Sequence, residues 1–182
     1  MSVHTISGAD LGVQVFLGKR EPRADRLIPV TPSQGMFGSV KPMGGMWTSS
    51  PSAHISGWAE WCRGEQFSDN AQQMWELVPS AEVELAEIDS LDDLKALHLL
   101  YGRSEELVTY RHHWLDYSLI AERYAGIHLT DNGQWATRLT QPYNLYGWDC
   151  ESTLWFRWSF GEVRHVGTVH VHEPSTMSDV SE

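Results

Sequence analysis

Two cysteines in 182 residues are too few for a disulfide framework, and Cys62 and Cys150 fit no zinc-finger spacing. Beside tryptophans, both read as buried free thiols. Runs of Lys or Arg are also missing: 13 basic residues face 24 acidic ones, a net charge of −11. Binding to duplex nucleic acid draws most of its affinity from a basic patch, so non-specific duplex binding is not expected. An acidic surface that repels or mimics nucleic acid stays open. No stretch approaches the roughly 20 apolar residues of a membrane-spanning helix. The start, MSVHTISGADLGVQVFLGKR, lacks the charged head and apolar run of a signal peptide. The expected setting is the cytoplasm, without membrane contact.

What is present is an ordinary globular composition, 41% hydrophobic and 20% charged, with length enough for one domain and a proper core. Nine tryptophans are many for this length. Tryptophan pairs a large flat apolar surface with one N–H donor, so most belong in the core and one or two suit a pocket.

Along the chain, 11–18 predicts a first strand and 19–45 a long Pro- and Gly-rich loop, of the kind that is usually functional or disordered. A short strand is expected over 44–50, then a helix over 53–65 begun by Pro51 and Ser52. Strands follow at 73–79 and 81–88. The clearest helix is 90–102, with Ser90 as cap, Asp93 completing a capping box, a Leu91, Leu94, Leu97 stripe and Gly102 at its end. A second amphipathic helix is predicted over 113–124, a strand over 125–130, a turn at DNG (131–133) and a partner strand over 134–140. Strands at 146–158 and 162–172 precede a polar acidic tail, 173–182, expected to be disordered. The sum is a single α+β domain over 1–172, a mostly antiparallel, split sheet with two to three helices.

The segment YGWDCESTLWF (146–156) sets two carboxylates between tryptophans. Extended, it alternates faces: Trp148, Cys150, Ser152, Leu154 and Phe156 toward the core, Asp149, Glu151, Thr153 and Trp155 in a polar row ending on an aromatic. Carboxylates are seldom buried without a partner or a task. Earlier, SVKPMGGMWTSS (39–50) offers two glycines for close backbone approach and the hydroxyls of Thr48, Ser49 and Ser50. Read as ordinary structure, WTSS is a strand end with a helix cap and DCEST an edge strand facing water.

Together the two segments resemble ADP-ribosyltransferase-type domains, and also uncharacterised phage and actinobacterial sequences with KPxGG(L/M)WTS and GWDxES patterns. The resemblance covers about 40–155. It implies a split antiparallel sheet with NAD, as substrate, in a cleft, a Ser/Thr strand supporting the nicotinamide ribose, and a later glutamate assisting cleavage of the nicotinamide–ribose bond. Carried over, Glu151 is the catalytic glutamate and Asp149 its helper. Lys41, Gly45, Trp47, Thr48, Ser49 and Thr153 then frame NAD. The acceptor would be a host protein or another macromolecule. Two departures stand out. The first strand lacks the usual Arg or His anchor, offering only Lys19 and Arg20 beyond its end, and D-C-E replaces the familiar Glu or Gln pair.

Other signals read as ordinary structure. His170 and His172 share a strand face as in metal sites, but solvent-facing histidines are the plainer reading, and no metal is expected. His112 and His113 are adjacent and diverge too far to chelate together. Cys150, facing apolar neighbours, is expected to be inert. The acidic region 82–106 reads as a solvated face. The competing class is a non-enzymatic, phage-type inhibitor that binds a host protein through an acidic, Trp-rich surface. It requires an exposed aromatic patch and no organised cleft.

Overall fold

The computed structural model describes residues 2–31, 41–52, 56–65, 71–106 and 111–170. Among these described residues, ten strands and five helices make an α+β domain of three mostly antiparallel sheets. The strands are β1 (Thr5–Ser7), β2 (Gln14–Gly18), β3 (Met46–Thr48), β4 (Ala71–Pro79), β5 (Glu84–Ile88), β6 (Gly102–Glu106), β7 (Arg111–Leu115), β8 (Gly126–Leu129), β9 (Ser152–Trp155) and β10 (Phe160–His170). The helices are α1 (Gly8–Leu11), α2 (Gly57–Gly64), α3 (Leu91–Tyr101), α4 (Tyr117–Arg123) and α5 (Asp131–Thr137). Among the described residues, no helix is long and apolar enough to cross a membrane.

The central sheet runs β1-β5-β8-β9-β3, with β5 and β8 parallel and the other pairs antiparallel. A second sheet runs β10-β4-β2, and β6 pairs β7 as a separate ribbon. One face of the central sheet carries Ala86, Ile88, Ile127, Leu129 and Leu154 against the side chains of α3 and α4. The other puts Leu85, Met46 and Trp155 against Trp75 and Leu77 of β4. With both faces covered, β8 and β9 are buried at every position. Such strands lose the in-and-out alternation that marks a half-exposed strand.

Besides that face-to-face packing, a backbone bridge joins the β2 edge of the second sheet to the end of β3. Val15 and Ser49 exchange backbone hydrogen bonds, the Val15 amide donating to the Ser49 carbonyl at 2.8 Å and the Ser49 amide to the Val15 carbonyl at 3.1 Å. From that bridge the edge strands β2 and β3 diverge, so the split in the sheet has a defined mouth.

Several expected elements change type. The 134–140 strand and DNG turn are replaced by α5. Thr130 Oγ1 accepts from the Gly133 amide and donates to Asp89 Oδ1, so the motif is a helix cap. Gly133 is required by close packing, since a Cβ there would lie 1.9 Å from the Ile88 carbonyl oxygen. The 113–124 helix starts only at Tyr117, because Asp116 Oδ1 accepts from the Ser118 and Leu119 amides while 111–115 pairs with β6. The first strand shortens to 14–18, Ser7 capping α1 before it. The 53–65 helix shortens to 57–64, capped by Ser56 rather than begun by Pro51 and Ser52. The capping box of α3 holds as read: Ser90 and Asp93 exchange hydrogen bonds, and Asp93 Oδ2 also accepts from the Asp89 amide. The tail 173–182, His172 and residues 53–55 of the expected helix lie outside the described residues.

Candidate active site

The segment 146–151 is not strand; β9 begins only at Ser152. The alternating row of Asp149, Glu151, Thr153 and Trp155 therefore breaks after its first two members. Trp148, Leu154 and Phe156 do enter the core. Asp149 and Glu151 instead point into two neighbouring environments on either side of the β3 end.

Glu151 enters a buried polar relay. Both its oxygens accept from the Ser50 amide, at 3.2 and 3.0 Å, and Oε1 also accepts from Ser50 Oγ at 3.0 Å. Ser50 Oγ accepts from Gln14 Nε2 at 3.3 Å. Gln14 Oε1 accepts from Thr48 Oγ1, which accepts from Trp155 Nε1, both at 2.8 Å. Buried polar groups cost free energy unless bonded, and this chain satisfies one from β2, two from β3 and its end, and two around β9. It is also a bridge between the sheets, since Gln14 sits on β2.

The same sheet face carries a polar row that follows from strand register. Thr48 pairs with Thr153, Thr153 with His128, and His128 with Glu87. Thr153 is fully buried, its Oγ1 hydrogen-bonded to His128 Nδ1 at 2.9 Å. Burial lowers the His128 imidazole to about 4, with the Asp89 charge opposing. It is thus neutral near pH 7, and at 3.8 Å from Glu151 Oε1 it forms no ion pair. Burial pushes the Glu151 carboxyl up to about 7; the Ser50 hydrogen bonds oppose this and the Asp131 charge adds to it. Gly57, first residue of α2, leaves room for the carboxylate: a Cβ there would lie 3.2 Å from Oε2.

A pH-dependent stability follows. A carboxyl held above its usual 4.5, here near 7, binds its proton more tightly in the folded chain. Its contribution is complete below pH 4.5 and lost as pH rises through 7, by about 3 kcal/mol at ~1.4 kcal/mol per unit. His128 has the opposite sign: its contribution is present above 6.5 and lost as pH falls through about 4. Glu151→Gln leaves the His128 effect common to both proteins. Thermal melts between pH 4.5 and 8 are expected to show wild type losing about 6–12 °C relative to Glu151→Gln. A difference independent of pH contradicts the assignment.

On the other side of the β3 end, between the diverging strands, lies a cavity of about 750 Å³. Phe16 and Leu17 of β2 form one wall and Met46, Trp47, Thr48 and Ser49 the other. Trp58, Asp149, Cys150, Ser152, Gly45 and Lys41 also line it. Lys19, Arg20, Arg23 and Arg26 complete the lining with Glu21. Five of the chain's 13 Lys and Arg residues, counting Lys41, thus surround one cavity on a protein of net charge −11. Lys41 Nζ pairs with Asp149 Oδ2 at 2.7 Å. Gly44 and Gly45 hold left-handed backbone, φ +81° and +68°, which brings the chain under β9; a Cβ on Gly45 would meet Leu154 Cδ1 at 2.5 Å.

Of the expected site residues, Asp149, Lys41, Gly45, Trp47, Thr48 and Ser49 line the cavity, whereas Glu151 and Thr153 do not. The hydroxyls of Thr48 and Ser49 are already engaged, Thr48 in the relay and Ser49 Oγ as acceptor for the Trp58 amide at 3.2 Å. Cys62 is buried as expected, but Cys150 is only half-buried and lines the cavity, because the segment before Ser152 is not strand; burial pushes the Cys150 thiol up to about 12. His170 is exposed, and among the described residues no cluster of His, Cys, Asp or Glu could hold a metal ion. Sequence reading missed Gln14, His128, Trp58, Arg23 and Arg26. For the arginines the signal was present, as charge concentrated in a loop that a structureless reading leaves unassigned.

No family model, curated protein or solved structure matches the chain.

Proposed function

We propose that the cavity between β2 and β3 binds NAD and that the protein is an ADP-ribosyltransferase-like enzyme acting on a macromolecular acceptor. The observation that carries this reading is the gathering of five cations and two tryptophans around one cavity of an acidic protein. Arginine forks match phosphate oxygens, and indole faces take flat rings. A cleft at the split between two sheets is also what the resemblance implies. Breaking the nicotinamide–ribose bond moves positive charge onto the ribose, so a carboxylate on the cavity wall stabilises the transition state. Asp149 is the group for that role. Glu151 acts behind it as a positioning residue, fixing Ser50 and the end of β3. Two free cysteines suit a cytoplasmic site of action.

The test is nicotinamide release from NAD by the purified protein with cell lysate as acceptor source. Asp149→Asn is expected to lose about 10²–10³-fold in rate, while Glu151→Gln stays within about tenfold of wild type. No release, together with no calorimetric binding of NAD or ADP-ribose, ends this reading.

The second reading, an interaction protein without catalysis, draws on one feature. Trp135 of α5 and Leu139, two residues beyond its end, are 77% and 78% exposed. Trp135→Ala is expected to abolish the effect on the host partner under that reading and to leave nicotinamide release untouched under the first.

A further inference from the structure

The cavity already holds a cation of its own. Lys41 Nζ, 2.7 Å from Asp149 Oδ2, stands 5.2 Å from the Trp47 ring centroid and 5.9 Å from that of Trp58. Two indole faces within about 6 Å, closed by a carboxylate, are the chemistry by which proteins recognise an organic cation. Both rings are braced from behind. Trp47 packs edge-on against the fully buried Trp148, centroids 4.6 Å apart at 73°. Trp58 stacks on Trp61 at 5.0 Å and 14°, and its amide is held by Ser49 Oγ. The rings and Asp149 sit on braced segments; Lys41 reaches them on a flexible four-carbon stem, its side chain one-third exposed.

We infer that Lys41 is a tethered placeholder in a cation subsite made by Trp47, Trp58 and Asp149, and that a ligand carrying a cationic ring beside its phosphates displaces it. This rests on the NAD reading and adds a selectivity to it. The pyridinium ring of NAD+ replaces the ammonium charge for charge against Asp149. The neutral dihydronicotinamide of NADH does not, and would leave that carboxylate uncompensated if Lys41 withdrew. The arginines at the mouth take the phosphates of either form, so the discrimination belongs to the cage alone. Lys41 then sets a threshold for occupancy: the subsite is never bare, and only a cation of matching shape enters it.

The experiment is calorimetric titration of wild type and Lys41→Met with NAD+, NADH and ADP-ribose at one ionic strength. Lys41→Met is expected to bind NAD+ about tenfold tighter, the competitor having gone, with NADH and ADP-ribose changed by less than about threefold. If ADP-ribose still binds but NAD+ is unchanged or weaker in the variant, the placeholder is wrong and the NAD reading stands. An equal gain for NAD+ and ADP-ribose also overturns it, because the ring would then be outside the cage. If no ligand binds either protein, both inferences fall. Lys41→Gln, checked with Lys41→Met by thermal melting, is expected to behave alike.

Discussion

Replacing Arg20, Arg23 and Arg26 together by alanine is expected to weaken ADP-ribose binding about 100-fold. All three are exposed and line the cavity, so each contact to phosphate is solvent-screened and contributes about 1 kcal/mol rather than the 1.5–3 kcal/mol of a buried charged hydrogen bond. Their present engagements are modest: Arg23 Nε lies 3.3 Å from Asp25, and Arg26 Nη1 donates to the Glu21 carbonyl at 2.7 Å. Releasing them subtracts little from the ligand's gain. The same variant is expected to lose most of the salt dependence of binding, because screening acts on the charges removed. Calorimetry at two ionic strengths reads both effects. A loss below about threefold, or an unchanged salt slope, would show that the phosphates lie elsewhere.

Gln14→Ala carries the largest expected cost to the fold. Gln14 is fully buried and joins Thr48 Oγ1 to Ser50 Oγ. Truncation strips one partner from each, and an unmet buried polar group costs about 1–3 kcal/mol. We expect about 4 kcal/mol in all, a fall of about 8–16 °C in Tm for a chain of this size. Adding Thr48→Val to Gln14→Ala is expected to cost less than Thr48→Val alone, since Gln14→Ala has already taken away the acceptor of the Thr48 hydroxyl. Additivity of the two would mean the relay is not a coupled unit.

The relay explains why the two carboxylates of YGWDCESTLWF meet different surroundings. Asp149 faces a cavity and an ammonium; Glu151, two residues on, faces Ser50 and a neutral histidine. Treating the segment as regular strand puts both carboxylates on one face. The bend at 150–151 separates them, leaving Asp149 in the cavity lining and Glu151 outside it.

Local chemistry was legible in the residues themselves. Ser90 and Asp93 form the cap they promise because every atom involved lies within a few residues. The α+β class, the strand at Met46–Thr48 and the meeting of that hydroxyl-bearing strand with the Glu151 segment were legible too. What the tertiary structure alone decided was non-local. Burial of β8 and β9 on both faces erased the alternation from which faces are read. Gly133 could not be told from a turn glycine without the Ile88 carbonyl that presses on it. Arg20, Arg23 and Arg26 come to line one cavity with Trp47, Trp58 and Asp149 only once β2 and β3 are packed beside each other. Caps are made by neighbours along the chain, and a charged cavity by neighbours in space; the first is written in spacing, and the second exists only once the sheets have packed.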